Sequence, residues 1–77
     1  MNTFKIIGKL DKVDQNAIYL VDNELQLIAV YLSESIKSDL TSNIEKGATI
    51  GVEGEIKVND SELIELHATK LLYMNEQ

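Results

Sequence analysis

Ser33-Glu34-Ser35-Ile36-Lys37-Ser38-Asp39-Leu40-Thr41-Ser42-Asn43-Ile44-Glu45-Lys46-Gly47-Ala48-Thr49-Ile50-Gly51-Val52-Glu53-Gly54-Glu55-Ile56-Lys57-Val58 changes its period partway through. In the first half Ile36, Leu40 and Ile44 recur every fourth residue among Ser, Lys, Asp and Thr, the spacing of a short amphipathic helix over Ser33–Ile44. Ser33 or Ser35 offers the N-cap oxygen, and Gly47 suits a helix C-terminus, where a residue with positive φ is often wanted. From Ala48 the period is two: Ala48, Ile50, Val52, Ile56 and Val58 alternate with Thr49, Glu53, Glu55 and Lys57. That is a strand with one buried face, and Gly51 and Gly54 within it allow bending or close approach.

Three apolar runs precede this stretch. Phe4, Ile6 and Leu10 share one parity with Gly8, and Lys5 and Lys9 take the other, so the chain opens with a half-buried strand whose glycine suggests a bulge or bend. A polar turn over Asp14-Gln15-Asn16 leads to the β-formers Ala17–Val21. Beyond Asp22-Asn23-Glu24, Leu25–Leu32 is apolar on both parities except at Gln26. A third strand of that kind is buried on both faces, or turns one face toward something other than the core. After the tight turn Asn59-Asp60-Ser61 a last strand is expected from about Glu62 to Met74, with Leu63, Leu66, Ala68, Leu71 and Leu72 as core candidates. The order is β-β-β-α-β-β. It predicts an all-β fold with one short helix, a five-stranded Greek-key barrel of the OB type, in one domain spanning residues 1–77.

Composition narrows the chemistry. With 77 residues, no cysteine and a single histidine, His67, the chain has neither disulfides nor the ligands for an ordinary protein metal site, and no cofactor is expected. A domain this small usually needs a staple, which leaves self-association and predicts a homo-oligomer. There is no thiol nucleophile, and the carboxylates fall in no acid–base spacing, so no enzyme is expected. No apolar run reaches the roughly 18 residues of a membrane span, nor is there the apolar stretch of a signal peptide. No membrane partner is expected, and cytoplasm is the default compartment. The net charge is −6, whereas a nucleic-acid binder normally carries a basic footprint. The charge is uneven: residues 1–20 hold Lys5, Lys9 and Lys12 against Asp11 and Asp14, and the remainder holds four lysines against eleven acids.

Two stretches resemble a known family. Met1-Asn2-Thr3-Phe4-Lys5-Ile6-Ile7-Gly8-Lys9-Leu10 is similar to the opening of bacterial single-stranded DNA-binding proteins. Ile44–Ile56, with Lys46-Gly47 and Val52-Glu53-Gly54, resembles that family's passage from helix into fourth strand. The two motifs cover 23 residues, and the resemblance implies the OB barrel and binding of single-stranded DNA. The departures are specific. The family's long hairpin between its last two strands is replaced by Asn59-Asp60, and its acidic, aromatic-ending tail has no counterpart at Asn75-Glu76-Gln77. Aligned back from Lys46-Gly47, the family's aromatic positions on and just after the third strand fall on Leu27 and Ser33, neither of which stacks on a base. Without the hairpin, the chain resembles that family's primosomal relatives.

Each candidate residue has a structural reading beside its functional one. Lys5, Lys9 and Lys12 either track phosphates or form a solvated strand face plus one loop lysine. Tyr31 and Tyr19 either stack bases or sit in the sheet with their hydroxyls at the rim. Lys57 is a candidate strand contact beside the last hairpin, and His67 reads as an ordinary strand side chain. Gly8, Gly51 and Gly54 fit no phosphate-loop spacing. The expected function is binding of single-stranded DNA, or RNA, with little sequence specificity, through the lysine-bearing first strand and the face of strands two and three. The alternative is a protein-interaction or assembly module that serves a replication or recombination protein without touching nucleic acid.

Overall fold

The computed structural model describes residues 2–40 and 45–74, with the side chains of Asp39 and Met74 excepted. Five strands and one helix follow in the expected order: β1 (Thr3–Val13), β2 (Ala17–Val21), β3 (Leu27–Tyr31), α1 (Glu34–Leu40), β4 (Thr49–Val58) and β5 (Ile64–Met74). The strands close into a barrel in the order β1-β2-β3-β5-β4, with β4 returning to β1. All neighbours are antiparallel except β3 and β5, which meet in parallel at Tyr31 and His67. This is the OB barrel. Closure is narrowest between β3 and β5.

One long strand makes closure possible. β1 pairs with β4 through Thr3–Lys9 and with β2 from Lys9 onward, so it belongs to both walls. Where it passes from one to the other, Gly8 lies so close to β2 that a Cβ there would meet the Val21 carbonyl oxygen at 2.8 Å. The bulge expected at Gly8 falls instead between Leu10 and Lys12.

The core is Leu10, Ile18, Leu20, Val30, Ile50, Val52 and Ala68, with Leu40 of α1 packed into the same cluster. Phe4, Ile6, Ile28, Leu32, Leu66 and Leu71 pack around it. The helix sits where the chain crosses from β3 to β4. Ser33 caps it, its Oγ accepting from the Ile36 N–H at 3.4 Å. Ile44, the third residue of the expected helical stripe, lies outside the described residues, and the described helix ends at Leu40. Gly47 does have positive φ, 92°, but in a turn into β4 where its N–H donates to the Leu10 carbonyl.

Three expectations need correction. Leu25 is not in the third strand. It holds φ 61° in the turn before β3 and is 85% exposed, so the strand begins at Leu27. Val58 and Leu63 are not core: both are exposed, as is Ile64, because the β4–β5 hairpin runs past the end of the barrel and its inward parity there has nothing to cover. The core parity of β5 also changes midway. Leu66 and Ala68 face inward, and then Leu71 does, because a bulge at Glu53/Gly54 shifts the register by one residue. Gly54 sits at that irregularity, and a Cβ on it would overlap the His67 carbonyl and the Phe4 ring.

Candidate nucleic-acid interface

The outer face of a barrel is the alternate parity of each strand, and cross-strand partners line up in rows. One row is Lys9, Val21 and Leu27; the next is Lys12, Tyr19 and Ala29; a third links Ala17, Tyr31, His67 and Glu55. The second row exists because of the β1 bulge. Alternation counted from Lys9 would face Asp11 outward and Lys12 inward. The extra residue restores Lys12 to the outside, opposite Tyr19. Lys12 is therefore a strand residue, not a loop lysine. Its Nζ lies 5.0 Å from the centre of the Tyr19 ring, within cation–π range. The Tyr19 hydroxyl reaches the Asp14 carboxylate at 3.5 Å.

Tyr31, diagonal to Tyr19 on the next strand, is 39% exposed and stacks on the His67 ring, centroids 5.4 Å apart and planes 25° from parallel. The stack stands on the one backbone pair that joins β3 to β5 among the described residues. Behind it, His67 Nε2 and Glu65 Oε1 are 2.9 Å apart, and Asn59 Nδ2 donates to Glu65 Oε2 at 3.0 Å. The Asn59 hydrogen bond first, then that of His67, holds the Glu65 carboxyl below its ordinary pKa, with smaller help from the charges of His67 and Lys57. Lys57 and Glu55 line a groove with His67, Leu32, Ser33 and Ile36, so the His67 side of the stack opens onto one cation, one carboxylate and two apolar side chains.

The six sequence candidates are thus not one surface. Lys12, Tyr19 and Tyr31 come together, and Lys9 lies one row away. Lys57 joins them across His67. Lys5 lies on the half of β1 that pairs with β4, where its Nζ is 3.6 Å from Glu53 Oε2. An exposed pair of this kind adds little stability, but it offsets the positive charge expected there. Leu27, where the resemblance places an aromatic, is exposed on the first row; Ser33 is occupied as the α1 cap. The residue that sequence reasoning passed over is His67. Its only signal was its spacing of two from Glu65 on the outward parity of the last strand; its ring partner comes from a strand 36 positions earlier.

No family model and no curated protein matches the chain. Solved structures do. The mitochondrial single-stranded DNA-binding protein Rim1 of S. cerevisiae superposes with a TM-score of 0.78 at 12% identity, over 99% of this chain and 96% of that one. SSBb, the second single-stranded DNA-binding protein of Mycobacterium smegmatis, gives 0.77 at 15% identity over 96% and 87%. The dimeric N-terminal domain of PriB from Thermoanaerobacter tencongensis gives 0.66 at 13% identity over 97% and 98%. At such identities what is shared is the fold.

Proposed function

We propose that this chain is a non-enzymatic, cytoplasmic binding module for single-stranded DNA with little sequence preference. The observation that carries the reading is the paired arrangement of Lys12 over Tyr19 and of Tyr31 on His67 on one outer face. A cation over the half-buried Tyr19 ring and the exposed Tyr31 ring nearby supply the two elements a sequence-tolerant single-strand site needs: charge for the backbone and a π-face for the bases. Lys9 and Lys57 extend the charge to either side. Two of the structural neighbours, Rim1 and SSBb, carry single-stranded DNA binding in their names, and this chain shares their fold.

The overall charge of −6 opposes any polyanion, so affinity rests on this local face and is salt-sensitive. With Lys9, Lys12 and Lys57 each meeting a phosphate, log K falls with log salt at a slope of about −2. Fluorescence anisotropy on a labelled oligo-dT of about 30 nucleotides tests this. The expected result is saturable binding that weakens with salt and loses about 1–3 kcal/mol in Tyr31→Ala. An unlabelled oligo-U competitor reads DNA against RNA. Absence of binding at low salt and high protein concentration sinks the proposal.

A further inference from the structure

The row that carries the Tyr31–His67 stack continues to a side chain of the wrong sign for a phosphate. Tyr31, His67 and Glu55 are successive cross-strand neighbours on β3, β5 and β4. Glu55 is half-buried and lines, with His67 and Lys57, the groove that runs between the start of α1 and the strands β4 and β5. Among the described residues its carboxylate makes no ion pair and no side-chain hydrogen bond. The neighbouring carboxylates are engaged: Glu53 with Lys5, Glu65 with His67 and Asn59. The groove holds about 390 Å³, at the small end of the range for ligand sites, about 300–1,000 Å³. The single-strand site as described above gives Glu55 nothing to do.

A free carboxylate beside a strand of phosphates repels them. It becomes an asset only where it faces a donor, and in a nucleic acid the donors are on the bases. An ionised glutamate accepts through two oxygens and donates nothing. The Watson–Crick edges of unpaired bases differ in what they offer it. Thymine and uracil present one N3–H between two carbonyl oxygens. Cytosine and adenine present one amino group beside a ring-nitrogen acceptor. Guanine alone presents two adjacent donors, N1–H and the N2 amino group, which match a carboxylate as the fork of an arginine does. Every other edge sets an acceptor against the second carboxylate oxygen.

We propose that the groove beside His67 takes one guanine base of a bound single strand, the Glu55 carboxylate accepting from N1–H and the N2 amino group. The His67 ring lies against the base, and Lys57, on the same groove, meets the phosphate of that nucleotide, so the two charges act on different parts of it. The proposal rests on the single-strand reading and adds a preference at one position to a site otherwise indifferent to sequence.

Fluorescence anisotropy on a labelled oligo-dT of about eight nucleotides, its central residue replaced in turn by dG, deoxyinosine, dA and dC, tests it. The dG oligonucleotide is expected to bind about tenfold more tightly than the all-dT one. Deoxyinosine, which lacks the N2 amino group, is expected to fall back toward dT. In Glu55→Gln the dG preference is expected to disappear while affinity for dT is kept or raised, since one negative charge has gone. Glu53→Gln removes the same charge outside the groove and is expected to leave the dG preference unchanged, with circular dichroism confirming the fold of both variants. Free 5′-GMP is expected not to displace the strand. Equal affinity for dG and dT overturns the inference and leaves the single-strand reading standing. A dG preference that survives Glu55→Gln, or displacement by 5′-GMP alone, also overturns it. Absence of binding to every oligonucleotide removes the single-strand reading and this inference with it.

Discussion

The chain turns twice through the same backbone device and does different things with it. In Asp22-Asn23-Glu24-Leu25-Gln26 the N–H of Asp22 donates to the Gln26 carbonyl, that of Leu25 to the Asp22 carbonyl, and the Asp22 carboxylate accepts from Glu24 and Gln26. In Asn59-Asp60-Ser61-Glu62-Leu63 the N–H of Asn59 donates to Leu63, that of Glu62 to Asn59, and the Asn59 side-chain oxygen accepts from Ser61 and Leu63. Each turn holds its fourth residue at positive φ, 61° at Leu25 and 64° at Glu62, with no glycine in either. The first joins two five-residue strands whose outer face is apolar or aromatic. The second joins strands of ten and eleven residues whose outer face carries Glu53, Glu55, Lys57, Glu65 and His67. A turn's geometry therefore says nothing about the use of the hairpin it makes. The short hairpin presents rings and aliphatic side chains, while the long one carries charges, of which Glu65 meets His67 on its own strand and Glu53 meets Lys5 of β1.

The largest expected effect separates the hairpins at once. Gly54→Ala puts a Cβ into the His67 carbonyl, a backbone group that cannot turn aside, and is expected to cost about 3–5 kcal/mol in urea unfolding. The β2–β3 hairpin holds no glycine and therefore no equivalent backbone contact. The next comparison concerns the turn side chains. Asp22→Ala and Asn59→Ala each remove two side-chain acceptor bonds and are expected to lose about 1–2 kcal/mol apiece. Only Asn59→Ala also frees Glu65. Equal losses with a changed acid profile in the Asn59 variant alone would sharpen the comparison; a loss confined to one turn would break it. Smaller, and of opposite sign, are Leu25→Gly and Glu62→Gly, each expected to stabilise dilute protein by about 0.5–1 kcal/mol by relieving the left-handed cost of an exposed L-residue. Thermal melts check both.

The smallest effect is on pH. The Glu65 carboxyl has a lower pKa folded than unfolded. Its contribution to stability is therefore present above the ordinary glutamate value of about 4.3 and is lost as pH falls through the lowered one. Hydrogen exchange at Ile64–His67 followed from neutral to acid pH is expected to show the β4–β5 tip loosening before the β2–β3 hairpin. In Asn59→Ala that early loosening moves to higher pH.

How much of this could be read in the chain differs between fold and site. The alternation of Ile50 and Val52 with Thr49 and Glu53, the apolar parity of Phe4, Ile6 and Leu10, and the four-residue spacing of Ile36 and Leu40 are local consequences of strand and helix geometry. They were enough for the order of elements, and with the resemblance of Met1–Leu10 and Ile44–Ile56 they pointed to the barrel. The turns at Asp22 and Asn59 were legible for the same reason, since an Asx side chain bonds to its own backbone. Of the site, Tyr31 and Lys12 were visible as residue types but not as neighbours.

What the sequence determined by itself was periodicity, turn chemistry and charge, all set within a few residues of one another. The tertiary structure alone decided which parity faces out after a bulge, so that Lys12 rather than Asp11 meets Tyr19 and Leu71 rather than Leu72 joins the core packing. It also decided where the barrel ends, which leaves Val58 and Leu63 bare, and which ring lies on Tyr31. The reason is physical. A bulge or a closing pair is an agreement between two strands distant along the chain, and neither strand's own pattern contains the register at which they meet.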